Sequence, residues 1–528
     1  MYNVILAGGS GLRVLESIIH CCAMGLGPRV MRLFVIDPDH SNGNATRASR
    51  LVSKYLECQK AYGGKLGKDA NWFGTELDLL GDPTKPELMV WSPVKPNDTL
   101  GSIIDYDNLA STNTPPEVAD LLFTREERQV PLGGGFRGHP AIGAASMSQI
   151  PFFENERPWS EFIQRIRGDV DQGPSYVFIV GSVFGGTGAS TLHPVGRYVQ
   201  SIPERNHDRL KIAFNALVPY FRFSEEKKTG KGPSDAGGLV ARSENFSLAT
   251  KAAVEFYAYL KENHDWPFAM SHWVGDSGLM DVDWAPHGAG QENPAHFVDV
   301  LSALACLEFF AAGTTGVADG ASLYSGPRGN VVPPAPEFNL LEWPDVPLRA
   351  YDRSTLQREM LRFYMSGAAH LGFYEEVLQR TDLDKRSKNI TWYHERFRGP
   401  GKSLRTAEAQ HDLKVLTEYL EGYYFPWWQQ IHGTQTSTVV RLVNAAGLVP
   451  RGNGKYQVDL QRLTNLFAAD RPGDVNADHF DRFYTDVDNV KVDEGGSAGA
   501  GAYFSLLAHG ASRFIEREYL RKAEAAHA

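Results

Sequence analysis

The sequence predicts an α/β protein: a Rossmann-type parallel sheet flanked by helices, followed by a largely helical C-terminal part. Three observations carry this. An apolar strand, Asn3 to Ala7, begins almost at the first residue and runs into Gly8-Gly9-Ser10-Gly11 and then a helix-spaced stretch. The same order of strand, glycine turn and helix recurs mid-chain in Tyr176 to Ser190, YVFIVGSVFGGTGAS. After about residue 320 the apolar spacing becomes mainly helical. A strand followed by a glycine turn and a helix is the repeating unit of a nucleotide-binding α/β sheet.

The elements follow in order. Leu12 to Met24 has helical spacing, with Leu12, Leu15, Ile18, Ile19 and Cys22 on one side. Arg32 to Ile36 reads as the second strand and Asn42 to Leu56 as a helix. Residues 57–130, broken by Gly, Pro and Asn, read as an insertion with a short strand at Leu88 to Trp91 and a helix at Pro116 to Phe123. A helix from Trp159 to Ile166 leads into the mid-chain strand. Leu210 to Val218 is another buried strand, and residues 226–238 read as a mobile polar loop. Ser243 to Tyr259 is helical, Pro267 to Val274 strand-like, and AHFVDVLSALACLEFFAAG is a helix apolar on most faces, expected deep in the core. Helical patterns then occupy Leu356–Gly372, Ala407–Tyr424, Asp459–Phe467 and Tyr503–Arg521, and Gly495 to Gly501 reads as a flexible break.

The 528 residues suffice for two to four domains, with an ordinary apolar content. A net charge of −10 argues against a general nucleic-acid binder. The four cysteines (Cys21, Cys22, Cys58, Cys306) lack metal-site or Cys-x-x-Cys spacing and read as buried thiols in a reducing compartment. The opening is broken by Gly8, Gly9, Arg13 and Glu16 and does not read as a signal peptide. No run reaches the length of a membrane span, so a cytoplasmic protein is expected.

The chemistry concentrates in glycine clusters. Gly185-Gly186-Thr187-Gly188 ends a strand and opens a helix, an arrangement that aims backbone N–H groups and a helix's positive end at an anion. Thr187 and Ser190 add hydroxyls. No Gly-Lys-Ser/Thr follows, so this is not a Walker loop. A second cluster, Gly133-Gly134-Gly135-Phe136-Arg137-Gly138-His139-Pro140, precedes a helix-compatible run; Arg137 suits a phosphate or belongs to a mobile surface loop, and His139 reads as structural. Asp37, at the end of the second strand, suits a ribose or a metal, or caps the following turn.

These three loops, in this order and spacing, resemble the FtsZ/tubulin family, in the form of a divergent bacterial tubulin-like protein. Gly8, Gly9, Ser10 and Gly11 match its first loop. Gly134, Gly135, Phe136, Arg137 and Gly138 match a later glycine stretch before a Pro-x-x-Gly helix start. Phe184-Gly185-Gly186-Thr187-Gly188-Ala189-Ser190 is similar to the GGGTG(S/T)G signature, with the first and last glycines replaced. VPYFRFSE resembles the strand end and ribose-contacting loop, with Glu225 (or Glu226) near the acidic ribose ligand. Asn245 looks like the asparagine that reads guanine at the start of the central helix. The segment Glu292 to Asp299 resembles the loop that inserts polar groups into the next subunit's site. Glu292, Asn293 and Asp299 carry over as catalytic, and His296 stands where an acid is expected.

The resemblance covers about residues 1–315, the nucleotide-binding domain with its insertion, and leaves 316–528 as a mainly helical C-terminal domain able to hold a protein partner. It implies GTP or GDP with Mg²⁺ across the phosphates, and hydrolysis coupled to head-to-tail homo-oligomers that grow into filaments. Two other readings stand beside it. One is a tubulin-like nucleotide-binding switch or scaffold without hydrolysis, favoured by the altered signature and His296. The other is an NAD(P)-dependent oxidoreductase, suggested by GGTGAS, by Asp37 and by the Tyr257-x-x-x-Lys261 spacing.

Overall fold

The computed structural model describes residues 1–517 except 40–41, 68–69, 83, 85, 113–114, 137, 225–242, 284–290, 313–320, 326–327, 331–336, 340, 347, 349, 375–377, 379–390, 398–402, 436–439, 452–454, 459–465, 468–477 and 491–498. Glu225, Arg137, the polar loop of 226–238 and most of the expected helix at 459–467 therefore lie outside the described residues.

The chain opens with β1 (Tyr2–Ala7), in which every residue after Tyr2 is buried. A strand covered on both faces reads as a continuous apolar run, as this one does. It passes directly into α1 (Gly8–Ala23). The sequence places this helix from Leu12; the structure starts it four residues earlier. Gly8 makes the corner with φ of +70°, a conformation that favours glycine, and the next three residues form the helix's first turn. Then follow β2 (Val30–Ile36) and α2 (Gly43–Tyr62), the latter running six residues past its expected end and capped by Asn42, whose side chain accepts from the Asn44 N–H at 2.9 Å.

The inserted stretch supplies two short strands, β3 (Glu76–Asp78) and β4 (Val90–Trp91), both paired to β2. It also holds the expected small helix, Pro116–Leu122. After α3 (Pro140–Met147) and α4 (Trp159–Gln172), β5 (Ser175–Ser182) lies beside β1 and runs into α5 (Gly186–Ser201). The order continues β6 (Leu210–Leu217), α6 (Phe246–Glu262), β7 (Met270–Val274), α7 (Phe297–Ala312) and β8 (Ala321–Ser325).

All pairs in the main sheet are parallel, in the order β8-β7-β6-β5-β1-β2-β3 with β4 also on β2. The chain leaves β1 toward β2 and leaves β5 toward β6, in opposite directions. The boundary between β1 and β5 is thus a topological switch point, where a crevice opens beyond the strands' carboxyl ends.

The two faces of the sheet differ. One carries α3, α4, α5 and α6, packed over Ile5, Phe34, Val177, Ile179 and Phe214. The other carries α1, α2 and α7, and these are covered in turn by the C-terminal helices α8 (Arg353–Phe373), α9 (Ala407–Tyr419), α10 (Phe425–Thr434) and α11 (Gly499–Ile515). α9 packs along α2, and α10 reaches α7. Buried residues from Val4 to Ile515 belong to one apolar cluster on this side, so the helical C-terminal part shares its core with the sheet. Polar side chains pin the layers: Trp427 Nε1 donates to Ser17 Oγ at 3.0 Å, and His20 Nδ1 meets the Tyr419 hydroxyl at 2.8 Å.

α7 is buried on nearly every face, as its apolar composition predicts. A closed relay ties it to the sheet: Ser325 Oγ to His272 at 2.8 Å, His272 to Asn215 Oδ1 at 2.8 Å, Asn215 Nδ2 to Ser302 Oγ at 3.0 Å. Burial pushes the His272 pKa down to about 3, so the ring stays neutral and the array is a structural brace. Among the described residues no helix is long and apolar enough to cross a membrane.

The shared core predicts cooperative unfolding. Trp427→Ala removes a fully buried indole and its bond to α1, and is expected to lower stability by about 3–5 kcal/mol. Denaturant unfolding followed by far-ultraviolet dichroism and by tryptophan fluorescence should shift together, in one transition.

Candidate functional site

The three glycine clusters meet at the switch point. β1 and β5 end in register, Ala7 opposite Gly181, so their helices α1 and α5 begin side by side. A Cβ placed on Gly8 would lie 3.1 Å from Thr187 Cβ. One on Gly186 would lie 2.7 Å from Phe136 Cβ and 3.1 Å from that residue's carbonyl carbon, which brings in the middle cluster. Gly188 allows no side chain either, since its Cβ would fall 2.4 Å from the Ser182 nitrogen. The glycines are required by the close approach of backbones, a constraint that holds whether or not a ligand is bound.

Both helix N-termini lack a side-chain cap and an acidic residue in the first turn. Their leading N–H groups have no intrahelical acceptor by construction, so two positive helix ends converge on one crevice. Gly9, Ser10 and Gly185 are partly exposed there, whereas Gly8, Gly11, Gly186 and Gly188 are packed beneath; in the middle cluster Gly134 and Gly138 are partly exposed, and Gly133 is packed against Pro96. Thr187 is nearly buried against Gly8. Gly135 turns with φ of +82° and faces Asp39, whose Cβ lies 3.7 Å from where a side chain would begin. Phe136 differs from its expected role: its side chain belongs to the core, wedged against Gly143 and Gly186, and only its backbone borders the crevice.

Asp37 sits at the end of β2, almost fully buried. Its Oδ1 accepts from the Asp39 N–H at 3.1 Å, and burial raises its pKa to about 7. Beside it are two residues with no assigned role in the sequence reading, Asn42 and Asn44. Their amide nitrogens lie 2.9 and 3.2 Å from the Cβ position of Gly9. A pair of side-chain amides therefore borders the first loop, placed by the N-cap of α2.

The segment before α7 is a second departure from expectation. The resemblance sends Glu292, Asn293 and Asp299 to a neighbouring subunit. In the structure this segment lies against the first glycine loop of its own chain. The Asn293 N–H donates to Asn44 Oδ1 at 3.1 Å, and the same amide borders Gly9. The reason is topological: α7 follows a parallel strand, so it starts at the same sheet edge as α1 and α5. Glu292 is exposed, Asn293 is buried, and Asp299 is spent as a cap, its Oδ2 accepting from the His296 N–H at 2.9 Å.

Beneath Ser10 is a buried charged cluster. Arg13 contacts Glu16 at 2.7 Å, and Arg47 Nε contacts the same carboxylate oxygen at 2.7 Å. Burial would lower the Arg13 pKa, but Glu16 and Asp299 hold it above the ordinary arginine value. Burial pushes Asp299 up to about 7 against the pull of Arg13, and holds His296 down to about 3. Among the described residues, the Tyr220 hydroxyl, beside Ser10 and Asp299, finds no partner of good geometry, nor does Asp299 Oδ1. Arg13 and Glu16 interrupt an otherwise apolar helix, the one sign in the sequence of this cluster.

Asn245 and Tyr257 fall elsewhere than expected. Asn245 is exposed one residue before Phe246, whose ring packs on Phe184 of the third loop at 4.7 Å. The helix it opens, α6, is a surface crossover with Leu248, Phe256 and Tyr259 in solvent; the central position belongs to α7. Tyr257 is buried among Phe214, Trp266 and Trp273, and Lys261 lies over Trp266, so the Tyr-x-x-x-Lys spacing makes no reactive pair at the loops. Among the described residues no group of three His, Cys, Asp or Glu side chains forms a metal site. A Mg²⁺ here would take most of its ligands from phosphate and water, its usual habit.

Comparison with family models, with curated proteins and with solved structures finds no match to this chain.

The buried carboxyl of Asp37 gives a pH test on nucleotide-free protein. Its pKa is raised in the folded state, so stability is lost as pH climbs from about 4 through 7 and then levels. Asp37→Asn removes that loss. Its melting temperature should match wild type near pH 4 and exceed it above pH 7, by up to about 4 kcal/mol in stability.

Proposed function

We propose that this protein binds a nucleoside phosphate, with GTP or GDP as the ligand that the resemblance to the FtsZ/tubulin family favours. The observation that carries the reading is the meeting of Gly8, Thr187, Gly186 and Phe136 at a switch point where two uncapped helices begin. In this reading the N–H groups of Gly9, Ser10 and Gly185 to Thr187, with the Asn42 and Asn44 amides, cradle the phosphates. Asp37 and Asp39 line the β2 side, where a ribose or a hydrated Mg²⁺ fits. Mg²⁺, when bound with the nucleotide, supplies charge neutralisation across the phosphates.

Binding has more support than turnover. His296 is held neutral and buried, Asp299 caps its own helix, and Asn293 is engaged by Asn44, which leaves Glu292 as the exposed polar group of that segment. These observations favour the switch or scaffold reading over a filament-coupled GTPase. Head-to-tail assembly rests on the resemblance alone.

The test is nucleotide extraction from freshly purified protein, then titration with a fluorescent GTP analogue. Gly9→Asp is the informative variant. Its Cβ would displace the Asn42 amide, 2.9 Å away at the end of a side chain, and its carboxylate would sit at the positive end of α1 and repel phosphate. Affinity is expected to fall at least about 100-fold with the dichroism spectrum unchanged. Equal affinity of Gly9→Asp and wild type would overturn this reading.

A further inference from the structure

We propose that Gln430, on the C-terminal helix α10, is a positioning residue of the glycine-loop site, and that through it the C-terminal layer sets how tightly the loops hold their ligand. The proposal rests on the nucleotide reading above. Two donors from different elements converge on one side-chain atom: the Ala295 N–H at 2.8 Å and Arg47 Nη2 at 3.1 Å both reach Gln430 Oε1. Because both partners are donors, the atom they share is the amide oxygen.

Each donor belongs to an element that is tied to the first glycine loop or to the helix it opens. Ala295 lies two residues after Asn293, which is tied to Asn44 and so to Gly9. Arg47 is one turn beyond Asn44 on α2 and holds Glu16, on the helix that begins at Gly8. A single oxygen from residue 430 thus joins the strap before α7 to the first turns of α2 and, through Arg47, to the middle of α1.

The energetic argument is local. Ala295 is fully buried, and without the Gln430 oxygen its N–H would be an orphaned donor. Arg47 would lose one of the partners that fix its fork. The strap can recover these bonds only by shifting, and the first group to shift with it is the Asn44 amide beside Gly9. A loosened loop holds its anion less well because the N–H groups no longer point together.

The test uses the full-length protein and a fluorescent GTP analogue, measured by equilibrium titration and by dissociation after chase. Gln430→Met keeps the side chain's length and offers no comparable acceptor. It should weaken binding about tenfold, mainly through faster dissociation. Gln430→Glu restores an acceptor opposite Arg47 and should stay within about threefold of wild type. Phe483→Leu, which loosens the distant contact of Phe483 with Phe514, should lower the melting temperature and leave affinity unchanged. Gln430→Met binding as tightly as wild type, or Gln430→Glu as weak as Gln430→Met, overturns the positioning role alone. Wild-type protein that binds no analogue overturns the nucleotide reading, and the proposal with it.

Discussion

The fold depends on a place where no side chain can stand. β1 and β5 end together, and each turns into a helix in the same small volume. Gly8 faces Thr187, Gly188 lies against Ser182, Gly186 lies against Phe136, and Gly11 packs 3.0 Å from the Val180 carbonyl oxygen as measured from its Cβ position. Backbone packed on backbone at these distances brings the first turns of α1 and α5 side by side. Their unpaired N–H groups then share one opening, which a side chain at any of these positions would wedge apart.

The second organising feature is what lies below that opening. Arg13, Glu16 and Asp299 form a buried group of both signs, with partly exposed Arg47 reaching into it and Tyr220 and His296 beside it. Isolated charges at such depth would be prohibitive, so these persist as mutual partners. The cluster joins α1, α2 and the start of α7, and Gln430 adds the C-terminal layer. Among the described residues, the sheet's other face is covered outside its helices only by the short elements of the insertion, and α6 keeps Leu248, Phe256 and Tyr259 in solvent.

Much of the architecture was legible in the residues. β1, β2, β5 and β6 were placed within two residues at each end, because strands buried on both faces are unbroken apolar runs. The burial of α7 followed from its composition. The glycine clusters were read as one site, and they are one place in the structure. The start of α1 was misjudged because glycine itself forms its first turn at Gly8, and glycine reads as a breaker in isolation. The resemblance gave the central place to the helix opened by Asn245, and the spacing of its apolar residues does not distinguish an outer crossover from an inner one. Asn42 and Asn44 read as ordinary helix-start residues, and Gln430 carried no local signal.

Local chemistry therefore determined the strands, the turns and the glycine-built starts of α1 and α5. Each depends on residues close in sequence: apolar runs, absent Cβ atoms, helix ends. Tertiary structure alone decided which elements face the site. The segment at 292–299 lies at its own chain's first loop because α7 follows a parallel strand and must begin at that sheet edge. Residue 430 reaches the same place because the C-terminal helices bury the apolar faces of α1, α2 and α7. Side chains more than a hundred residues apart become partners only when an apolar surface has to be covered, and no local pattern records which surface that will be.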